Sequence, residues 1–214
     1  MNKNIFVFDK PKNMTSNELV QLIKKKYNYK KVGHAGTLDP NATGVMVIGV
    51  NEGTKILGKL TIENKEYIAT IKFGYATRTY DSEGEVTFIT KNLVDIESIK
   101  KIVGLWLNQK DIKQTPPVYS AVKIDGKKLY DYARKNIPIT IPERTVQLFS
   151  ADIIDFDKTN QILKIKILVS KGFYVRSFAN DLGITLNSYA TLIELQRTKS
   201  GDFCIEQAIK IEKK

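Results

Sequence analysis

Residues 33–44 read Gly-His-Ala-Gly-Thr-Leu-Asp-Pro-Asn-Ala-Thr-Gly and run directly into Val45-Met46-Val47-Ile48-Gly49-Val50. Glycines and a proline in the first stretch call for a loop, and the apolar run behind it has the length of a buried strand. Pro40 biases Asp39 toward an extended backbone, while the glycines let main chain approach a ligand closely. A carboxylate is thereby posed at the tip of a defined loop. An isolated Asp-Pro pair more often makes a plain turn, with Thr43 as a helix cap, so the flanking chain has to arbitrate.

Upstream, residues 4–8 read as a strand. Thr15-Ser16-Asn17-Glu18 fits a capping box opening a helix on which Leu19, Leu22, Ile23 and Tyr27 recur at helical spacing. Lys24 to Lys26 with Lys30 and Lys31 make its end basic, which suits the helix dipole or a phosphate. Downstream, residues 66–73 and 85–89 read as strands joined across 74–84, and Asp95 can cap a helix carrying Ile96, Ile99, Val103 and Trp106 on one side. Gln114-Thr115-Pro116-Pro117 interrupts regular structure. Residues 127–135 look helical and 137–142 extended; Leu163, Ile165, Ile167 and Val169 alternate as in a strand, and Gly172 turns the chain into a helix through Ala179 and Leu182. Strands intermixed with helices, sometimes next to one another, predict an α+β fold with a mostly antiparallel or mixed sheet.

Composition narrows the chemistry. At 214 residues the chain can bury one sizeable core, and 42% hydrophobic with 27% charged residues is ordinary globular usage. A formal charge of +11 suits a polyanionic partner. The short apolar run at residues 5–8 is too brief for a signal peptide or a membrane span, so a cytoplasmic location is expected. One histidine and one cysteine, Cys204, cannot build the common zinc sites or a disulfide within the chain.

Other site patterns fail on inspection. Asp155, Asp157, Thr159 and Asn160 start like a calcium loop, but Asn160 and Lys166 stand where glycine and a bidentate glutamate are needed, so a polar turn between strands is expected. No Gly-Lys-Ser/Thr follows residues 33–44 to make a P-loop. A Ser-His-Asp hydrolase could use only His34, and no serine sits in a Gly-x-Ser-x-Gly elbow.

The string from Gly33 to Gly44 closely resembles the catalytic motif of the TruB-type tRNA pseudouridine synthases. The resemblance continues through Lys10-Pro11 with Thr15-Ser16-Asn17, Lys65-Glu66-Tyr67, residues 74–84 (Gly-Tyr-Ala-Thr-Arg-Thr-Tyr-Asp-Ser-Glu-Gly), residues 117–123 with 126–130, and Ser170-Lys171-Gly172-Phe173-Tyr174-Val175-Arg176-Ser177. It implies a pseudouridine synthase fold, a mixed α/β core with a central, largely antiparallel mixed sheet flanked by helices, and no cofactor. Carried over by position, it implies Asp39 as nucleophile, Arg176 paired with Asp39, and Tyr67 packed against the target base. His34, Gly36, Thr37, Leu38, Lys10, Asp81, Tyr174 and Leu195 become substrate-binding candidates, with Asp81 open to contacting substrate or ordering its own turn. Two departures stand out: little chain follows Ala208, so a single catalytic domain over 1–214 without a C-terminal PUA domain is expected, and Gln196 stands where relatives often carry a second arginine beside Arg197.

The implied activity is isomerisation of uridine 55 in the tRNA T-loop, by a monomer that needs no metal and no membrane. An arginine fork keeps a partner carboxylate ionised in a pocket that excludes water, and a carboxylate can split glycosidic bond breaking into easier steps. Attack on the sugar C1′, attack on uracil C6 and prior removal of a sugar proton all remain open. The alternatives are an RNA-guided synthase acting on ribosomal RNA and a non-catalytic RNA-binding or RNA-folding protein of the same fold.

Overall fold

A computed structural model describes residues 4–120, 122–135 and 137–211. The chain opens with β1 (Ile5–Lys10) and α1 (Ser16–Lys26). Thr15 Oγ1 accepts from the Glu18 amide at 3.1 Å while the Glu18 carboxylate accepts from the Thr15 amide at 2.7 Å, the reciprocal bonding of a capping box. The helix buries Ser16, Leu19, Val20 and Ile23 along one face. It ends because Asn28 takes φ 53° and the Tyr29 amide returns to the Lys24 carbonyl at 3.1 Å, closing a Schellman turn.

The glycine-rich stretch is shorter as a loop than its composition predicts. Gly33 and His34 complete β2 (Val32–His34), which pairs antiparallel with β3 (Thr43–Val50), His34 opposite Ile48. Only residues 35–42 are free of strand. A 3₁₀ turn (Asn51–Ile56) and α2 (Leu57–Thr61) come next; both are too short to show a sequence period.

Then come β4 (Lys65–Phe73), β5 (Tyr75–Thr77), β6 (Val86–Ile89) and α3 (Ile96–Leu107), the last capped by Asp95, whose carboxylate accepts from the Ser98 amide at 2.9 Å. After them lie β7 (Ile112–Gln114), β8 (Lys123–Ile124), β9 (Lys127–Lys128) and α4 (Leu129–Arg134), so the helix expected over 127–135 begins two residues late. The reason is a hairpin: Asp125 and Gly126, at φ 50° and 77°, make the two-residue turn joining β8 to β9. The remaining elements are β10 (Arg144–Val146), β11 (Leu148–Asp157), β12 (Ile162–Val169), α5 (Val175–Thr185), β13 (Ala190–Ser200), β14 (Phe203–Cys204) and β15 (Ile209–Lys210). The polar turn expected at 155–160 falls later, at 158–161 between β11 and β12; Asp155 and Asp157 still belong to β11, and the Asn160 amide donates to Asp157 at 2.9 Å.

The chain forms two compact units. The first comprises residues up to 68, 166–171 and those from 194 onward; the second comprises 69–165 and 172–193. Among the described residues nine strands make one mixed sheet, and β4, β12 and β13 each contribute residues to both units. In the first unit β1 pairs antiparallel with β3 and parallel with β15, and β3 pairs parallel with β13 through Gln196↔Thr43 and Arg197↔Gly44. Val7, Ala35, Val45, Val47 and Leu57 form an apolar cluster there. The second unit adds the small antiparallel pairs β5–β6 and β7–β10. Among the described residues no helix is long and apolar enough to cross a membrane.

A braced aspartate loop as the candidate active site

Asp39 sits half-buried in the loop 35–42, between exposed Thr37 and Pro40 and buried Leu38 and Ala42. The loop is tied down from two sides. From the start of α1, Ser16 Oγ donates to the Leu38 carbonyl and accepts from the Leu38 amide, both at 2.9 Å, and the Met14 amide reaches the Pro40 carbonyl at 3.4 Å. Lys10, fully buried at the end of β1, donates from Nζ to the carbonyls of Pro11 (2.9 Å), Met14 (2.6 Å) and Pro40 (3.0 Å). Asp39 is thus bracketed by Leu38 and Pro40, each fixed through its main chain.

From β13, Arg197 does the corresponding work. Its side chain is 1% exposed, with Nε donating to the Val45 carbonyl at 2.7 Å, Nη2 to Gly36 at 3.2 Å and Nη1 to Thr37 at 3.4 Å. A buried guanidinium is tolerable when its donors are filled in this way. Close pairing of β13 with β3 requires Gly44, where φ is 104° and a Cβ would lie 2.2 Å from the Arg197 carbonyl oxygen. Leu195, two residues before Arg197 on β13, shares its side of the strand and is half-buried.

The electrostatics of this unit stem from that arginine. Burial first, then the Arg197 charge, lowers the pKa of His34, with a Gly36 backbone hydrogen bond opposing, so the imidazole is neutral near pH 7. Lys65, buried at the start of β4, is brought down to about 8 by burial and by Arg197, with Glu63 opposing. Its Nζ donates to the Thr61 carbonyl at 2.7 Å and to that of Glu63. Tyr67, two residues on along the same strand, is 8% exposed. Its neighbour Glu66 accepts from Thr198 Oγ1 at 2.7 Å.

The second unit holds Arg176, Asp81 and Tyr174. Arg176 lies in the first turn of α5, 6% exposed, donating to the carbonyls of Thr79 (Nη1, 3.2 Å) and Tyr119 (Nη2, 3.0 Å), with Nη1 3.5 Å from Asp81 Oδ2. Asp81 also orders its own turn, accepting from Thr79 Oγ1 at 2.5 Å and from the Glu83 amide at 3.1 Å. Tyr174 precedes α5 and is clamped by Gln114, which accepts from its amide at 2.7 Å and donates to its carbonyl at 3.0 Å. Gln114 therefore sets where the helix carrying Arg176 begins.

Sequence reasoning placed Asp39, His34, Gly36, Thr37 and Leu38 together in one loop; the structure keeps Gly36, Thr37, Leu38 and Asp39 in it and puts His34 at the end of β2, just before the loop begins. It did not assign Ser16, Lys65 or Arg197 to that loop, and it put Lys10 on the substrate, whereas the Lys10 ammonium is enclosed by main-chain carbonyls. Among the described residues no group of three or more His, Cys, Asp or Glu could hold a metal ion.

Comparison with known proteins identifies the family. Residues 24–175 match the family model described as TruB family pseudouridylate synthase, N-terminal domain. The tRNA pseudouridine synthase B of Ureaplasma urealyticum serovar 10 is 54% identical over 217 residues, covering 99% of this chain and 92% of the relative; that of Malacoplasma penetrans is 48% identical, covering 95% and 88%. Among solved structures, a Cbf5-Nop10-Gar1 complex has a similar chain with TM-score 0.75 and 27% identity over 97% of this chain, which spans about half (52%) of that longer one. The chain belongs to the TruB family of pseudouridylate synthases.

Proposed function

We propose that this chain, a tRNA pseudouridine synthase, isomerises uridine 55 of the T-loop with Asp39 as its nucleophile. The observation that carries the reading is the braced loop: a carboxylate is presented between two residues whose main chains are fixed by Ser16 and Lys10, while Arg197 holds the loop's other end at Gly36 and Thr37. Such preorganisation supports a reaction that depends on where one carboxylate stands. The reaction breaks the N1–C1′ bond, turns the uracil, joins C5 to C1′ and moves the C5 proton out while N1 gains one. It is redox-neutral.

In this reading Arg176 serves as the counter-ion of Asp39; its bond to Asp81 supports the role by fixing the guanidinium. Tyr67 flanks the extruded base, whose unstacking costs roughly a few kcal/mol, and neutral His34 offers ring surface and one hydrogen-bond donor. Leu195 lines the base pocket, and Gly36, Thr37 and Tyr174 contact the RNA. Lys10 serves by positioning the loop. The exposed lysines of α1 and its end, Lys24, Lys25, Lys26, Lys30 and Lys31, beside Tyr27 and Tyr29 with ring centroids 6.0 Å apart, suit RNA phosphate and stacking. The whole chain acts as one catalytic domain, a cytoplasmic monomer.

The test is release of tritium from a T-arm RNA labelled at uracil C5. Asp39→Asn keeps size and loses the charge, and is expected to lower turnover at least about a thousand-fold while RNA binding stays within threefold or so. Turnover within tenfold of the parent would sink the assignment.

A further inference from the structure

The side of α5 away from Arg176 lines a cleft of its own. At about 100° per residue, Phe178 and Asp181 stand roughly 200° and 140° around the helix from Arg176. Together with Phe173, Trp106 and the segment 109–114 they bound a cleft of about 670 Å³. Its floor is aromatic: Trp106 meets Phe178 edge-on with ring centroids 5.4 Å apart, and Phe173 lies 5.9 Å from Phe178. Phe178 is buried, whereas Trp106 and Phe173 are half-buried and keep ring surface open.

Asp181 is a carboxyl that the isomerisation does not use. Among the described residues its side chain accepts one hydrogen bond, from Asn180 Nδ2 at 3.3 Å, and has no ion-pair partner. Burial pushes it up to about 6, only partly offset by Asn180. A half-desolvated carboxyl without a cation, in an aromatic cleft, has the makings of a recognition group awaiting hydrogen-bond donors. Exposed Lys110 and Lys113 stand at the rim, Lys113 donating to Thr145 Oγ1 at 2.8 Å, and Asp111 offsets part of their charge.

A ligand matching all three features needs a flat π-surface, two adjacent N–H donors for the two carboxylate oxygens, and an anionic group for the lysines. Among the four RNA bases only guanine carries two adjacent donors, N1–H and N2–H, on one edge. Adenine and cytosine set a donor beside an acceptor, and uracil flanks its single donor with acceptors. We propose that this cleft is a guanine-nucleotide subsite, with Asp181 accepting from N1–H and N2–H, Trp106 and Phe173 flanking the base, and Lys110 and Lys113 meeting its phosphate. The occupant is a guanosine of an RNA or a free mononucleotide, which share this chemistry.

Trp106 is the single tryptophan of the chain, so quenching of intrinsic fluorescence reads the cleft directly. Guanosine 5′-monophosphate is expected to quench saturably and to bind at least about tenfold more tightly than the inosine, adenosine or uridine monophosphates. Asp181→Asn replaces one acceptor by a donor and is expected to abolish that preference with an unchanged circular dichroism spectrum. Absence of saturable quenching, equal affinity for the four nucleotides, or a preference that survives in D181N would each overturn the proposal. A hairpin bearing an unpaired guanosine, added to the guanosine monophosphate complex, separates the sources: displacement assigns the site to RNA, and persistence of the bound nucleotide assigns it to the free form. Nucleotide binding needs no turnover, so tritium release by the same preparation judges the isomerase reading separately.

Discussion

Arg197 places a positive charge out of water and gives its hydrogen bonds to main-chain carbonyls at both ends of the loop that presents Asp39. Arg197→Lys keeps the charge but loses the planar fork, so it cannot span Gly36 and Val45 together. We expect kcat to fall about a hundredfold with KM changed less than about threefold, and Arg197→Met to fall further; this is measured by tritium release under saturating and limiting RNA. Unchanged kcat in both would show that the loop holds its shape unaided. The same residues explain what a sequence can and cannot disclose. The Asp39 loop, with His34 on the strand leading into it, was legible because residues 33–44 form a distinctive string. Lys10 and Arg197 were not legible as braces, because the acceptors of a buried cation are carbonyls, which every residue carries and only tertiary folding brings near.

A second residue-scale expectation concerns Asp181. Its folded-state pKa, about 6, lies above the ordinary carboxylate value of 3.8. The native state therefore holds this proton more firmly, and the associated stability is present below about pH 4 and lost as pH rises through 6. Asp181→Asn should raise Tm at pH 7.5, by an amount corresponding to on the order of 1–3 kcal/mol, and raise it much less at pH 4.5. Equal gains at both pH values in thermal melts would show that the carboxyl is not held protonated by its surroundings.

At the scale of elements, α1 and α3 were the most readable parts of the chain, since each announces itself by a cap and an apolar period. The short pieces were not: β2, α2 and the β8–β9 hairpin hold too few residues to show a period, and the first exists only because β3 lies beside it. α1 also couples to the site, because its first residue, Ser16, fills both the amide and the carbonyl of Leu38. Ser16→Ala strands those two buried groups and is expected to cost about 1–3 kcal/mol by denaturant unfolding, against about 1 kcal/mol for the exposed cap variant Thr15→Ala. The discriminating readout is turnover: S16A should slow it and T15A should leave it near the parent. Comparable loss in both would mean that the loop senses helix stability in general.

For the whole molecule, the charge of +11 predicts that RNA affinity falls steeply with salt, with a slope of log Kd against log salt of about 3 or more in magnitude. A flat dependence would place the binding energy in base contacts instead. Filter binding between low and physiological salt settles the sign and the slope. Net charge was legible from composition alone; which lysines face outward was not, as buried Lys10 and half-exposed Lys128 show beside the exposed row on α1.

The first unit is gathered from three separate stretches of chain, and the arginine that ties the Asp39 loop lies 161 residues beyond Gly36. A ribosome makes the loop long before its tie. During synthesis, therefore, an emerging chain carries the reactive aspartate without the means to aim it, and competence arrives only once β13 has been made. A polypeptide cut short before β13 should be inert toward RNA chemistry rather than weakly active, and closure over so long a separation should make the final locking of the loop one of the slower events in the protein's maturation.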